Sequence, residues 1–176
     1  ATTEIYTLSL HDALPISKDG QEQGGAYVKD LYHMLNLLGE KYYSSNRMLN
    51  IICNDKLSLA RHPAVAISVE IGDVDFSDLR DIDITTIFAN LLDNALEAVE
   101  AFGEGAYLNL KIQEVHHFRV ISIVNASRPG MKKEGHMGVG LENVRRTVEA
   151  YQGTMQCEIV GEEYRVSVML PGKEDS

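Results

Sequence analysis

The chain has 176 residues, 44% of them hydrophobic, and a formal net charge of −10 from 16 basic and 26 acidic side chains. That length and composition fit one compact domain with an appendage, or two very small domains, and exclude wholesale disorder. The acidic balance argues against nucleic acid or an anionic membrane surface as the main partner, because both select clustered Lys and Arg. It leaves room for a phosphate ligand held by backbone N–H groups and a metal ion. No apolar run reaches the roughly 18 residues a membrane helix needs, and no signal peptide is evident.

Residues 1–17 follow no clean periodicity, and Pro15 interrupts any helix there. The string SLHDALPIS resembles a translated sequencing adapter, so this segment reads as foreign to the natural protein. From Lys18 the pattern turns helical: Ala26, Leu31, Met34, Leu35 and Leu38 recur near 3.6-residue spacing, and Gly39 weakens the helix near its end. A second helix is expected over 45–61, with Met48, Leu49, Ile52, Leu57 and Leu59 as its apolar positions and Pro63 closing it. Together residues 18–62 read as an antiparallel helical hairpin.

Ala64–Ile71 alternates as a strand. Asp73, Asp75, Asp78 and Asp81 then mark a solvated loop, without the liganding pattern of a calcium site. The strongest helix is expected over 83–102, where Ile84, Ile87, Phe88, Leu91, Leu92, Ala95, Val99 and Phe102 form one apolar stripe. Asp83 with Thr85 or Thr86 offers capping, and Gly103 and Gly105 end the helix. Strands over 106–115 and 118–125 meet at His116-His117, a loop spans 126–138, and a helix covers 139–151. The last strands are 154–160 and 164–170, turning at Gly161. Cys53 and Cys157 fall in a helix and a strand and read as reduced core thiols. The element order predicts an α+β two-layer sandwich over residues 63–172, helices covering one sheet face, with a short tail at 173–176.

Two features carry chemistry. Asn90, Asn94 and Glu97 stand at i, i+4 and i+7 on one helix face, with Asp93 beside them. Asn costs helix propensity, so two of them inside the best helix are either solvent-facing or hard oxygen ligands for Mg²⁺ and phosphate. Gly135, Gly138 and Gly140 precede a helix N-terminus, where exposed N–H groups and the helix dipole can hold phosphate; an ordinary flexible loop has the same composition. Neither the Walker A pattern nor the dinucleotide GxGxxG is present. Lys132, Lys133 and His136 could neutralise phosphate or simply face water.

The order NLLDNALEA, a strand ending Val124-Asn125-Ala126-Ser127, a loop, then HMGVGLENV resembles the GHKL superfamily of ATP-binding domains over about residues 64–171. It looks closest to the branch found in peptide quorum-sensing receptor kinases. The resemblance implies a Bergerat-type ATP-binding fold, ATP and Mg²⁺ as cofactors, and the catalytic domain of a two-component sensor histidine kinase. It implies that Asn94 coordinates Mg²⁺ and phosphates with Asn90 assisting, and that Gly138 and Gly140 hold the triphosphate. Asn125 stands where the family's first glycine box usually has an Asp that reads the adenine amino group, and no DxGxG follows it. The implied ATP-binding set is completed by Asp93, Glu97, Lys133, His136, Val139 and Leu141.

The stretch from Asn46 through Ala60 resembles the second helix of the family's dimerisation and phosphoacceptor hairpin. A homodimer through that hairpin, a response-regulator partner, and a cytoplasmic domain whose membrane segment lies upstream follow from the resemblance. The phosphoacceptor is unassigned, since His11-Asp12 lies in the segment read as foreign and His33 is followed by Met34. Hydrolytic relatives carry a Glu one turn before the metal-binding Asn; here that residue is Asn90, a neutral amide that cannot take a proton. Kinase is therefore the first expectation, with a hydrolytic ATPase or a degenerate nucleotide-binding or dimerisation module as alternatives.

Overall fold

The computed structural model describes residues 44–59, 65–128 and 138–173, all within one compact unit. The expectations for 1–17, for the helix of 18–38, and for Lys132, Lys133, Gly135 and His136 lie outside the described residues. The elements run α1 (Arg47–Leu59), β1 (Ala66–Ile71), α2 (Asp81–Phe102), β2 (Tyr107–Val115), β3 (Phe118–Ala126), α3 (Val139–Ala150), β4 (Thr154–Val160) and β5 (Glu163–Pro171).

The five strands form one mixed sheet in the order β1-β2-β3-β5-β4. β1 and β2 run parallel; the other neighbours are antiparallel. A parallel pair needs a crossover, and α2 supplies it. Period-two patterning sets the two faces of the sheet. Leu108, Leu110, Ile112, Ile121, Ile123, Val166 and Val168 are buried in the helix-covered core, while Asn109, Lys111 and Ser167 turn to solvent. This is the expected α+β sandwich. The β2–β3 connection is the tight turn anticipated at His116-His117, both residues lying in the left-handed region (φ 47 and 64) as a two-residue hairpin turn requires.

α1 opens with Asn46 as its cap, the side-chain Oδ1 accepting the Leu49 N–H at 2.9 Å. Its stripe of Leu49, Ile52, Cys53 and Leu57 is buried in the same core as α2 and the sheet. That apolar face is committed to α2, so a dimer contact through it would have to break the core.

α2 begins at Asp81 and not at Asp83, and the expected caps act otherwise. Its N-cap is Arg80, with no side-chain capping bond. The Thr85 and Thr86 hydroxyls donate backwards to the Asp81 and Ile82 carbonyls, each at 2.8 Å, as Thr does inside a helix. Asp83 turns to the C-terminus of α3. Its carboxylate accepts from Arg80 Nε (2.7 Å), Arg80 Nη2 (3.0 Å) and the Tyr151 hydroxyl (2.5 Å). Gly103 ends the helix at φ 85, its N–H donating to the Val99 carbonyl.

The aspartates of the segment after β1 are exposed, as their charges imply, but the loop they mark is anchored on the core. Val74, Phe76 and Leu79 are buried, and Phe76 packs edge-to-face on Phe88 of α2 with ring centroids 5.7 Å apart. Asp78 forms a two-pronged pair with the buried Arg119 of β3 (2.5 and 2.9 Å). Arg119 also donates to the carbonyls of Asp75 and Pro171. Alternating apolar residues among the aspartates carry this loop over the hairpin end of the sheet. Lys173, placed in the tail, bonds Ser77 Oγ at 2.7 Å. Cys53 and Cys157 are both free thiols, as anticipated; burial pushes the Cys53 thiol up to about 12.

Candidate functional site

α2 offers two flanks beside its buried stripe, and α3 lies along one of them. The pairing is fixed at both ends. Tyr151 at the end of α3 bonds Asp83 near the start of α2. At the other end, a Cβ built on Gly140 would fall 2.7 Å from Asn90 Oδ1. A side chain at position 140 would therefore push against the end of the Asn90 amide, which would have to shift. The two motifs singled out in the sequence, 50 residues apart, meet here.

The Asn90 amide has a fixed sense. Its Nδ2 donates to the Thr86 carbonyl at 2.7 Å, so Oδ1 is the atom facing Gly140 and the start of α3. Asn94 follows one turn later and is half-buried, and Glu97 is exposed. Asp93 accepts from Lys56 Nζ of α1 at 2.8 and 3.0 Å. No spacing in the sequence marks Lys56, since a pair between α1 and α2 is a tertiary contact.

α3 starts without a side-chain cap. Gly138 is the N-cap residue, and its carbonyl accepts the Glu142 N–H at 3.0 Å. The first N–H groups of a helix have no intrahelical partner, so this end is suited to an anion. Val139 projects outward at 79% exposure, whereas Leu141 is buried and pins the helix start to the core. What Leu141 can offer a ligand is its backbone, not its side chain. Lys133 and His136 lie outside the described residues.

Asn125 ends the core-facing row of β3, level with Leu108 of β2 and Tyr164 of β5. It is 1% exposed. Its Nδ2 donates to the Ala126 carbonyl at 3.0 Å, which fixes the amide, and its buried Oδ1 has no hydrogen-bond partner among the described residues. A buried acceptor without a donor is costly. The exocyclic amino group of an adenine is a donor that would satisfy it, so the residue present fits the expected base. Among the described residues no three His, Cys, Asp or Glu side chains gather as a metal site. Asn90 and Asn94 supply only amide oxygens, which suits a cation that keeps waters and phosphate oxygens as its other ligands. The same residues contain no helix long and apolar enough to cross a membrane.

The family described as the GHKL domain matches residues 79–171. A search of the curated proteins finds no match. Among solved structures, the chain is similar to the catalytic domain of the histidine kinase ThkA, at 17% identity and TM-score 0.56, covering 73% of this chain and 94% of that one. It is similar to the histidine kinase domain of a blue-light activated kinase from Erythrobacter litoralis, at 16% identity and TM-score 0.58, covering 70% of this chain and 62% of that one. It is also similar to the histidine kinase AdeS of Acinetobacter baumannii, at 15% identity and TM-score 0.57, covering 94% and 90%. At these identities the likeness is one of fold.

Proposed function

We propose, from the premise that this chain belongs to the GHKL domain family, that it binds Mg·ATP between α2 and the start of α3 and serves as the catalytic domain of a two-component sensor histidine kinase. The observation that carries this reading is the contact of Asn90 with Gly140. It sets a helix face of amide oxygens against an uncapped helix N-terminus. One surface suits a hydrated Mg²⁺ and the other suits phosphate.

Each residue then has a role. Asn94, with Asn90 assisting, orients the metal and phosphates. The N–H groups of Val139, Gly140 and Leu141 face the phosphate oxygens, with Gly138 leaving the approach clear. Asn125 Oδ1 accepts from the adenine amino group. Lys133 and His136 complete the phosphate side of the site. Bound Mg·ATP supplies the transferable γ-phosphoryl group. The protein contributes position and electrostatics, which suffice for phosphoryl transfer.

Transfer to a histidine is favoured over hydrolysis by the chemistry of position 90. An amide whose NH₂ is already held by the Thr86 carbonyl cannot accept a proton from water. The partners that follow are a response regulator and a second copy of the chain. The second copy would meet this one through the helical hairpin of residues 18–62, to which α1 can offer only faces other than its buried stripe. The kinship with peptide quorum-sensing receptor kinases, and a place on the cytoplasmic side of a membrane-bound sensor, belong to the same reading.

The test is a calorimetric titration with a non-hydrolysable ATP analogue, with and without Mg²⁺, on wild type and Asn94→Ala. Binding should need Mg²⁺ and fall at least about tenfold in Asn94→Ala, the scale of losing a charge-assisted contact. Affinity indifferent to both changes would sink the metal assignment, and no binding at all would favour a degenerate module. With labelled ATP and a separate hairpin bearing an intact histidine, label should appear on the hairpin; label released only as free phosphate favours a hydrolase.

A further inference from the structure

Asp93 stands between the two asparagines of α2, three residues after Asn90 and one before Asn94. Lys56 of α1 donates to both of its carboxylate oxygens, at 2.8 and 3.0 Å. The two side chains are 27% and 48% exposed, and a pair so open to water adds little to stability. Its position matters more than its strength. Glu97 adds a second carboxylate one turn beyond Asp93, so this helix face carries negative charge where the proposed site must receive a polyanion. Repulsion between like charges within a Debye length of about 8 Å is only partly screened beside a protein surface.

We infer that Lys56 is a charge-neutralising residue of the nucleotide site: its ammonium cancels Asp93, so that the asparagine face of α2 can accept a nucleotide polyphosphate. The inference rests on the site reading above. Lys56 is a positioning residue, acting through Asp93 without touching the nucleotide. It makes α1 part of the site. The helix whose stripe completes the core also delivers the one charge that Asp93 requires, so displacing α1 would expose that carboxylate to the phosphates.

The test is calorimetric titration of the full chain with the Mg²⁺ complexes of a non-hydrolysable ATP analogue and of ADP, and with adenosine. The proteins are wild type, Lys56→Gln, Lys56→Arg, Asp93→Asn and the Lys56→Gln/Asp93→Asn double variant, with melting temperatures confirming the fold. Lys56→Gln should weaken the triphosphate about fivefold, the diphosphate about twofold and adenosine not at all, the scale of one exposed unit charge at short range. The triphosphate loss should shrink as salt is raised. In the Asp93→Asn background the same substitution should cost nothing, and Lys56→Arg should keep near wild-type affinity. Equal losses for all three ligands would reduce Lys56 to a fold contact and overturn the inference. So would a full loss in the Asp93→Asn background, which would mean that Lys56 meets the phosphates itself. If Lys56→Gln does not fold, a fivefold loss in Lys56→Arg, which keeps the charge, overturns it as well. Wild type that binds none of the ligands overturns the site reading too, whereas wild type that binds normally with a flat Lys56 series overturns this inference alone.

Discussion

Arg119 and Asn125 lie on the same core-facing row of β3, at its two ends, and both are almost fully buried, at 2% and 1% exposure. At the hairpin end Arg119 is saturated. Its guanidinium grips Asp78 with two bonds, reaches the Asp75 and Pro171 carbonyls, and sits 5.7 Å above the Phe76 ring. Burial pushes the Asp78 carboxyl up, but the Arg119 hydrogen bonds and charge outweigh it and hold that carboxyl below the usual range. At the other end Asn125 keeps a buried oxygen without a partner among the described residues. The only comparable atom among the described residues is Nε of Arg145, on a half-buried side chain. One strand thus carries a polar group completed by the fold and another that the proposed reading assigns to the nucleotide base. A saturated buried group holds the structure, and an unsatisfied one calls for an explanation.

The comparison breaks or holds on two substitutions. Arg119→Met should give the larger effect, because it leaves Asp78 and two carbonyls without their buried partner. A loss of about 3 kcal/mol is expected, near 10 °C in melting temperature, read by thermal and urea denaturation. Nucleotide affinity of the folded fraction should stay near wild type. Asn125→Leu should do the reverse. Removing an unsatisfied acceptor leaves stability within about 0.5 kcal/mol of wild type, while affinity for ATP falls roughly tenfold, the value of one lost hydrogen bond in a buried site. Asn125→Leu with unchanged ATP binding would dissolve the contrast between the two ends.

The sequence made some of this legible and left the rest dark for identifiable reasons. Asn90 stood out because an amide costs helix propensity inside a strong helix, and the glycines around the start of α3 because they leave helix N–H groups open to a phosphate. The strand at 64–71 followed from its alternating residues, since side-chain alternation is local. Asn125 was marked by family position, but its orphaned oxygen is visible only in three dimensions. The aspartates after β1 read as solvated, and they are exposed. The burial of Val74, Phe76 and Leu79 and the grip of Asp78 on Arg119, 41 residues away, depend on pairing that no window contains. Likewise α1 has hairpin-like spacing, yet its stripe enters the catalytic core, and Lys56 meets Asp93 at a separation of 37 residues.

The clamp between α2 and α3 gives the smallest effect and the sharpest control. Arg80 hydrogen bonds hold the Asp83 carboxyl below its usual range; burial opposes them, and the Tyr151 hydroxyl adds to them. A carboxyl depressed by folding contributes stability that is fully present above its unfolded value, about 3.9. That contribution is lost as pH falls through the lower folded value. Wild type should therefore lose stability on acidification below about pH 4 more steeply than Asp83→Asn. Asp75 and Asp78 are also depressed and titrate in the same window, so the readout is the difference between the two proteins, not the wild-type curve alone. Because Arg80 is largely exposed, the difference at neutral pH should be small, read from urea unfolding. Asp83 lies two turns from Asn90 and bonds only to Arg80 and Tyr151 in this clamp. If the clamp sets helix spacing and nothing more, Asp83→Asn should leave ATP affinity within about twofold at pH 7, below the tenfold loss that one hydrogen bond at Asn125 predicts. A larger loss would mean that the contact of Gly140 with Asn90 depends on the far end of α3, and that the nucleotide site begins at the clamp.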